Sequence, residues 1–109
     1  MTNLFETRDP RGLLVICTLE VWESHIVWQH PFMEGREAEV QQAIEHPSLG
    51  IFADAHREQR DVYYLRRASG VDLLKVVVDF SEETGVVVSA HPRNTPKPGE
   101  KMKWPIFTK

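Results

Sequence analysis

The stretch Leu73-Leu74-Lys75-Val76-Val77-Val78-Asp79-Phe80, followed after Ser81–Gly85 by Val86-Val87-Val88-Ser89-Ala90, decides the fold class. β-Branched side chains crowd a helical turn but suit a pleated surface, so both runs read as strands. The connection between them is too short for a helical crossover, which makes the pair antiparallel. Upstream, Ile51-Phe52-Ala53 and Val62-Tyr63-Tyr64-Leu65 carry the same chemistry, joined around His56 to Arg60 and at Ala68-Ser69-Gly70. Four strands in an antiparallel meander are therefore expected. Alternation in the third strand puts Leu74, Val76, Val78 and Phe80 on one face and Leu73, Lys75, Val77 and Asp79 on the other. In the last strand it groups Val86, Val88 and Ala90 against Val87, Ser89 and His91. A lysine in an apolar strand is costly unless its ammonium reaches water or an anion, so Lys75, Ser89 and His91 are expected on one open sheet face.

Ahead of the strands the period changes to that of helices. In Trp22-Glu23-Ser24-His25-Ile26-Val27-Trp28-Gln29-His30-Pro31, Pro31 disfavours helical geometry at His30 and ends the segment there. Thr18 suits an N-cap, Glu20 the first turn, and Leu19, Trp22 and Ile26 a core-facing stripe bordered by His25. A second helix is expected from Arg36 to about Glu45, with Val40, Ala43 and Ile44 inward and Pro47 closing it just after His46. Leu13 to Cys17 reads as a short strand. The expected fold class is α+β, with two N-terminal helices packed on a four-stranded antiparallel β-meander sheet. Residues 1–12, with the turn Asp9-Pro10-Arg11-Gly12, are expected as a flexible lead-in, 13–91 as the domain, and 92–109 as a basic, proline-rich arm.

Length and composition bound the functional classes. At 109 residues and 41% hydrophobic, the chain suits one domain with a modest core. It lacks an apolar run of the ~20 residues that span a bilayer, and its first residues lack a signal-peptide pattern, so no membrane partner and a cytoplasmic location are expected. The single Cys17, in an apolar run, is expected as a buried thiol outside any internal disulfide. The net charge of −3 divides into +4 over residues 92–109 and −7 over the rest, which leaves the body poorly suited to binding a polyanion by charge alone. Five scattered histidines without H-E-x-x-H or C-x-x-C spacing predict no metal, and no cofactor is expected. Gly-rich phosphate loops and G-x-S-x-G are missing, which disfavours nucleotide hydrolysis and α/β-hydrolase chemistry.

Metal-independent RNA cleavage needs a base for the 2′-hydroxyl proton, an acid for the leaving 5′-oxygen, and donors for the charge developing on phosphorus. Imidazoles serve both proton roles. The candidates are His25 for one proton transfer, His30 or His91 for the other, and Lys75 and Ser89 to steady the phosphate. Arg60 and Arg93 are the expected phosphate contacts. His46 and His56 read as surface loop residues.

The order Trp22-x-x-His25-Ile26, His30-Pro31, a helix ending at a Pro47 turn, Tyr63-Tyr64, Leu74-Lys75-Val76-Val77-Val78 and Val87-Val88-Ser89-Ala90 resembles the phage-associated branch of the barnase/EndoU/colicin/RelE-like nucleases. The resemblance covers about residues 18 to 91. It implies the two-helix, four-strand fold and a metal-independent endoribonuclease acting on RNA, a toxin or effector of phage or mobile-element origin with a protein antitoxin or immunity partner. By the resemblance, His25 is the helix histidine, His30 that of the H-P pair, Lys75 the basic strand residue and Ser89 the final-strand hydroxyl. This chain departs from the pattern at Ser89, where threonine is expected, and at His91, where an aromatic is expected. The alternative reading is a non-catalytic RNA- or protein-binding regulatory domain on a degenerate nuclease fold, which suits the acidic body.

Overall fold

The computed structural model describes residues 2–67 and 72–105. Seven strands follow in chain order: β1 (Asn3–Arg8), β2 (Leu14–Thr18), β3 (Gly50–Ala53), β4 (Arg60–Arg66), β5 (Leu73–Asp79), β6 (Gly85–Arg93) and β7 (Lys101–Trp104). They join one sheet in the order β1-β2-β6-β5-β4-β3-β7. All neighbours run antiparallel except β2 and β6, which pair in parallel over Val15↔Gly85 and Ile16↔Val86 alone. Helix α1 begins at Leu19–Val21 and widens into π-helical turns over Trp22–Val27, a 3-10 turn spans Pro31–Met33, and α2 covers Glu37–Glu45.

The expected fold class is therefore corrected. A seven-stranded mixed sheet with two short helices replaces two helices on a four-stranded antiparallel meander. The meander β3-β4-β5-β6 sits inside the larger sheet, extended at one end by the β1–β2 hairpin and at the other by β7. Residues 3–8, expected in a lead-in, are strand β1, and residues 101–104 of the arm are strand β7. The expected turn at Ala68-Ser69-Gly70 lies outside the described residues, as does Lys109.

Asp9-Pro10-Arg11-Gly12 does form a turn, the one that closes the β1–β2 hairpin. Its backbone bonds run from Asp9 N to Leu13 O and from Gly12 N to Asp9 O, and Gly12 takes the left-handed φ of 86° that a side chain would resist. The Asp9 carboxylate accepts the Arg11 and Leu13 amides and pairs with the Arg11 guanidinium at 2.8 Å. Arg11 also reaches Asp61 Oδ2 at 2.8 Å, and Lys103 of β7 reaches Asp61 Oδ1 at 2.8 Å. The Tyr63 hydroxyl donates to Asp9 Oδ2 at 2.7 Å. These contacts fix the β1–β2 turn and β7 to β4.

The helices cover one face of the sheet. Trp22, Ile26, Met33, Val40, Ala43 and Ile44 pack there with Tyr63, Leu74, Val76, Val78, Val87 and Ala90. Leu19, expected in the inward stripe, is exposed in the first helical turn. Cys17 is buried in the same core, and burial, with the Glu37 carboxylate, pushes its thiol up to about 12, which removes it as a nucleophile. The opposite face carries a smaller cluster of Phe52, Val62, Tyr64, Leu73 and Val77, with Leu49 and Val88 against it.

Candidate functional site

The second face is the one that collects the polar candidates. Strand pairing lays Tyr64, Lys75 and His91 in one row and Val62, Val77 and Ser89 in the next. Arg60 and Asp79 form a third, toward the far end of β4 and β5. The register shifts between Val77 and Val78, so Val78 faces Val87 while Val77 faces Ser89 and Val88 is the extra residue of a bulge. This breaks the simple alternation expected for β6: Val87 joins Ala90 in the helix-side core, and Val88 moves to the side of Ser89 and His91.

Because β2 pairs with β6 at only two positions, helix α1 runs beside the rest of that strand. Thr18 starts the helix as expected, its hydroxyl accepting the Val21 amide at 3.2 Å. Trp22 and Ile26 then bury toward the core, and His25 stays exposed. His25 and Val21 meet Arg60 and Val88 around a cleft of about 320 Å³ at the margin of the second face. π-Helical turns occur frequently at functional sites, and here one carries His25. Arg60 donates through Nε to Asp79 Oδ2 at 3.2 Å, with both side chains partly open to solvent. The Ser81 hydroxyl and amide, with Arg60, hold the Asp79 carboxyl below its usual range.

His30 and His91 form a second group. His30 stacks on His91 with ring centroids 5.2 Å apart at 27°, and Phe32 meets His30 edge-on at 5.6 Å. Burial, with the positive charges of His30, Lys75 and Arg93, pushes the His91 imidazole down to about 4. His91 is thus neutral at neutral pH and cannot supply a proton from its cationic form. Its Nδ1 is buried without a hydrogen-bond partner among the described residues.

Lys75 does not face an open surface. Its ammonium lies 2.9 Å from Glu100 Oε2, and the two side chains are 8% and 0% exposed. Tyr64 Oη donates to Glu100 Oε1 at 2.6 Å, so the arm seals this part of the face. Arg93 is partly exposed and donates through Nε to the Thr95 carbonyl at 2.9 Å. Ser89 is partly buried. The structure thus joins His25 with Arg60 and His30 with His91, and holds Lys75 apart from the cleft in a closed ion pair. Sequence reading missed Glu100 and Asp79. The signal for Glu100 was present, since it is the single acid in an arm with five cations. Among the described residues no group of three or more His, Cys, Asp or Glu side chains could hold a metal ion, and no helix is long and apolar enough to cross a membrane. Comparison with known proteins finds no matching family model, curated protein or solved structure.

Proposed function

We propose that the chain is a metal-independent endoribonuclease of the barnase/EndoU/colicin/RelE-like kind, with RNA bound across the His25–Arg60 cleft. The observation that carries this reading is the meeting of an exposed imidazole and a guanidinium around one opening next to the Ser89 strand. His25 takes the 2′-hydroxyl proton as that oxygen attacks phosphorus. The bond to the 5′-oxygen breaks, leaving a 2′,3′-cyclic phosphate, and the departing 5′-oxygen takes its proton from water. Arg60 and the Ser89 hydroxyl donate to the charged phosphoryl oxygens, where a fixed cation acts most strongly on charge that develops in the transition state. His30 and His91 stack on one another and lie outside the residues that line the cleft. A cytoplasmic site of action and an antitoxin or immunity partner belong to this proposal.

The test is digestion of single-stranded RNA in EDTA. Wild type cleaves, and His25→Ala loses about 10²–10⁴-fold in rate, the usual worth of a positioned proton-transfer group. Undiminished cleavage by the variant removes His25 from the mechanism. A second reading, a binding domain on a degenerate nuclease fold, draws support from the buried Lys75–Glu100 pair, which occupies one cation of the face with an internal partner. Wild type that binds RNA without cutting it selects that reading.

A further inference from the structure

The Glu100 carboxylate occupies a cradle of donors on the second sheet face. Lys75 Nζ lies 2.9 Å from Oε2, while Tyr64 Oη and the Lys97 amide donate to Oε1 at 2.6 and 3.0 Å. Two of these donors belong to the sheet, and the carboxylate comes from the arm. We infer that the cradle is a second anion subsite of this face, suited to a phosphate group of an RNA strand, and that the arm closes it with the side chain of Glu100.

Several observations converge on this assignment, which rests on the nuclease reading for the identity of the ligand. Charged oxygens held by an ammonium, a hydroxyl and an amide are the recognition chemistry a phosphate uses. With Glu100 withdrawn, the row holds Lys75 and the neutral His91, and Arg93 lies two residues further along β6, close enough for its charge to bear on His91. Lys75 stands four residues along β5 from Asp79, the partner of Arg60, or about 13 Å at the rise of a strand. The two cationic positions therefore lie in line down one face, at a spacing longer than one phosphate-to-phosphate step, which suits non-adjacent phosphates of a single strand. A buried ammonium needs an anion at that point, so an incoming phosphate replaces one partner with another and leaves no bare charge. The arm is fastened beyond the cradle through β7, by three residue pairs with β3.

The experiment measures binding of inorganic phosphate and of a non-cleavable 2′-O-methyl single-stranded oligonucleotide to the full chain in EDTA. Glu100→Gln should bind both about tenfold more tightly than wild type, the scale of losing one repulsive charge and freeing one cation. Adding Lys75→Met should erase the gain. Equal affinity of folded Glu100→Gln and wild type overturns the subsite. Should that variant fail to fold, NMR titration of wild type decides: saturating oligonucleotide must shift the Lys97 and Glu100 amides, and unmoved amides reject the inference. Cleavage is scored separately. Wild type that cuts RNA while Glu100→Gln binds no better discards the subsite and keeps the nuclease, and tighter binding without cutting by either protein does the reverse.

Discussion

His91 shows how a single imidazole can change role with its surroundings. Half-buried beside Lys75 and stacked on His30, it stays neutral in the folded chain until the pH approaches about 4, whereas an unfolded chain protonates it near 6.5. The unfolded state therefore binds the additional proton across that window, and His91 contributes stability that is present above 6.5 and lost as the pH falls toward 4. Urea unfolding of wild type should show this decline between pH 6.5 and 4.5. His91→Phe, which keeps a ring against His30, should flatten the slope, and an unchanged slope would exclude His91 as its source. Sequence reading could place His91 on the face of Lys75 and Ser89, but it could not see that burial and the charges of His30 and Lys75 would press on it there. The same limit applied to Lys75. Its need for water or an anion was legible, and the anion turned out to be Glu100, which lies 25 residues away in the sequence.

At the scale of elements, the four apolar runs became β3 to β6 and the 3.6-residue pattern over Val40, Ala43 and Ile44 became α2, because burial of those residues repeats locally. Strands β1 and β7 carry no such pattern: every residue of Asn3–Arg8 is partly buried or exposed, and Lys101–Trp104 is nearly all exposed. Each is a strand because a neighbouring edge offers backbone partners, information that a single segment does not hold. The bulge at Val88 was hidden for another reason, since three consecutive valines read the same in either register. Gly50 tests how β7 is held. It sits at φ 107°, and a Cβ there would lie 2.5 Å from the Trp104 carbonyl. Gly50→Ala should cost about 1–3 kcal/mol through backbone strain and should speed amide exchange in β7 well before β5. Thr18→Ala, which removes the N-cap of α1, should cost about 1 kcal/mol in denaturant unfolding and leave β7 exchange unaltered.

For the whole molecule, the sheet order separates what is near in sequence from what is near in space. The hairpin β1–β2 touches β6 through only two parallel pairs, yet its tip is fixed to β4 by Arg11, and β7 reaches the same point through Lys103. Asp61 is 4% exposed and shares its two oxygens between these cations. Removing one partner of a buried ion pair typically costs about 3–5 kcal/mol, and the Arg11 side, where Asp9 also loses its cation but keeps the Tyr63 hydroxyl and two backbone amides, should fall toward the lower end of that range under Arg11→Ala. Lys103 is more exposed, so Lys103→Ala should cost less. Because one carboxylate answers to both, the losses should not add: with Arg11 gone, Asp61 leans harder on Lys103, and a double-mutant cycle should show coupling of about 0.5–3 kcal/mol. Strict additivity would mean that the two cations act independently. With coupling, the opening strand and the closing strand become thermodynamic reporters of one another, so a lesion near either terminus can be read out in the hydrogen exchange of the other.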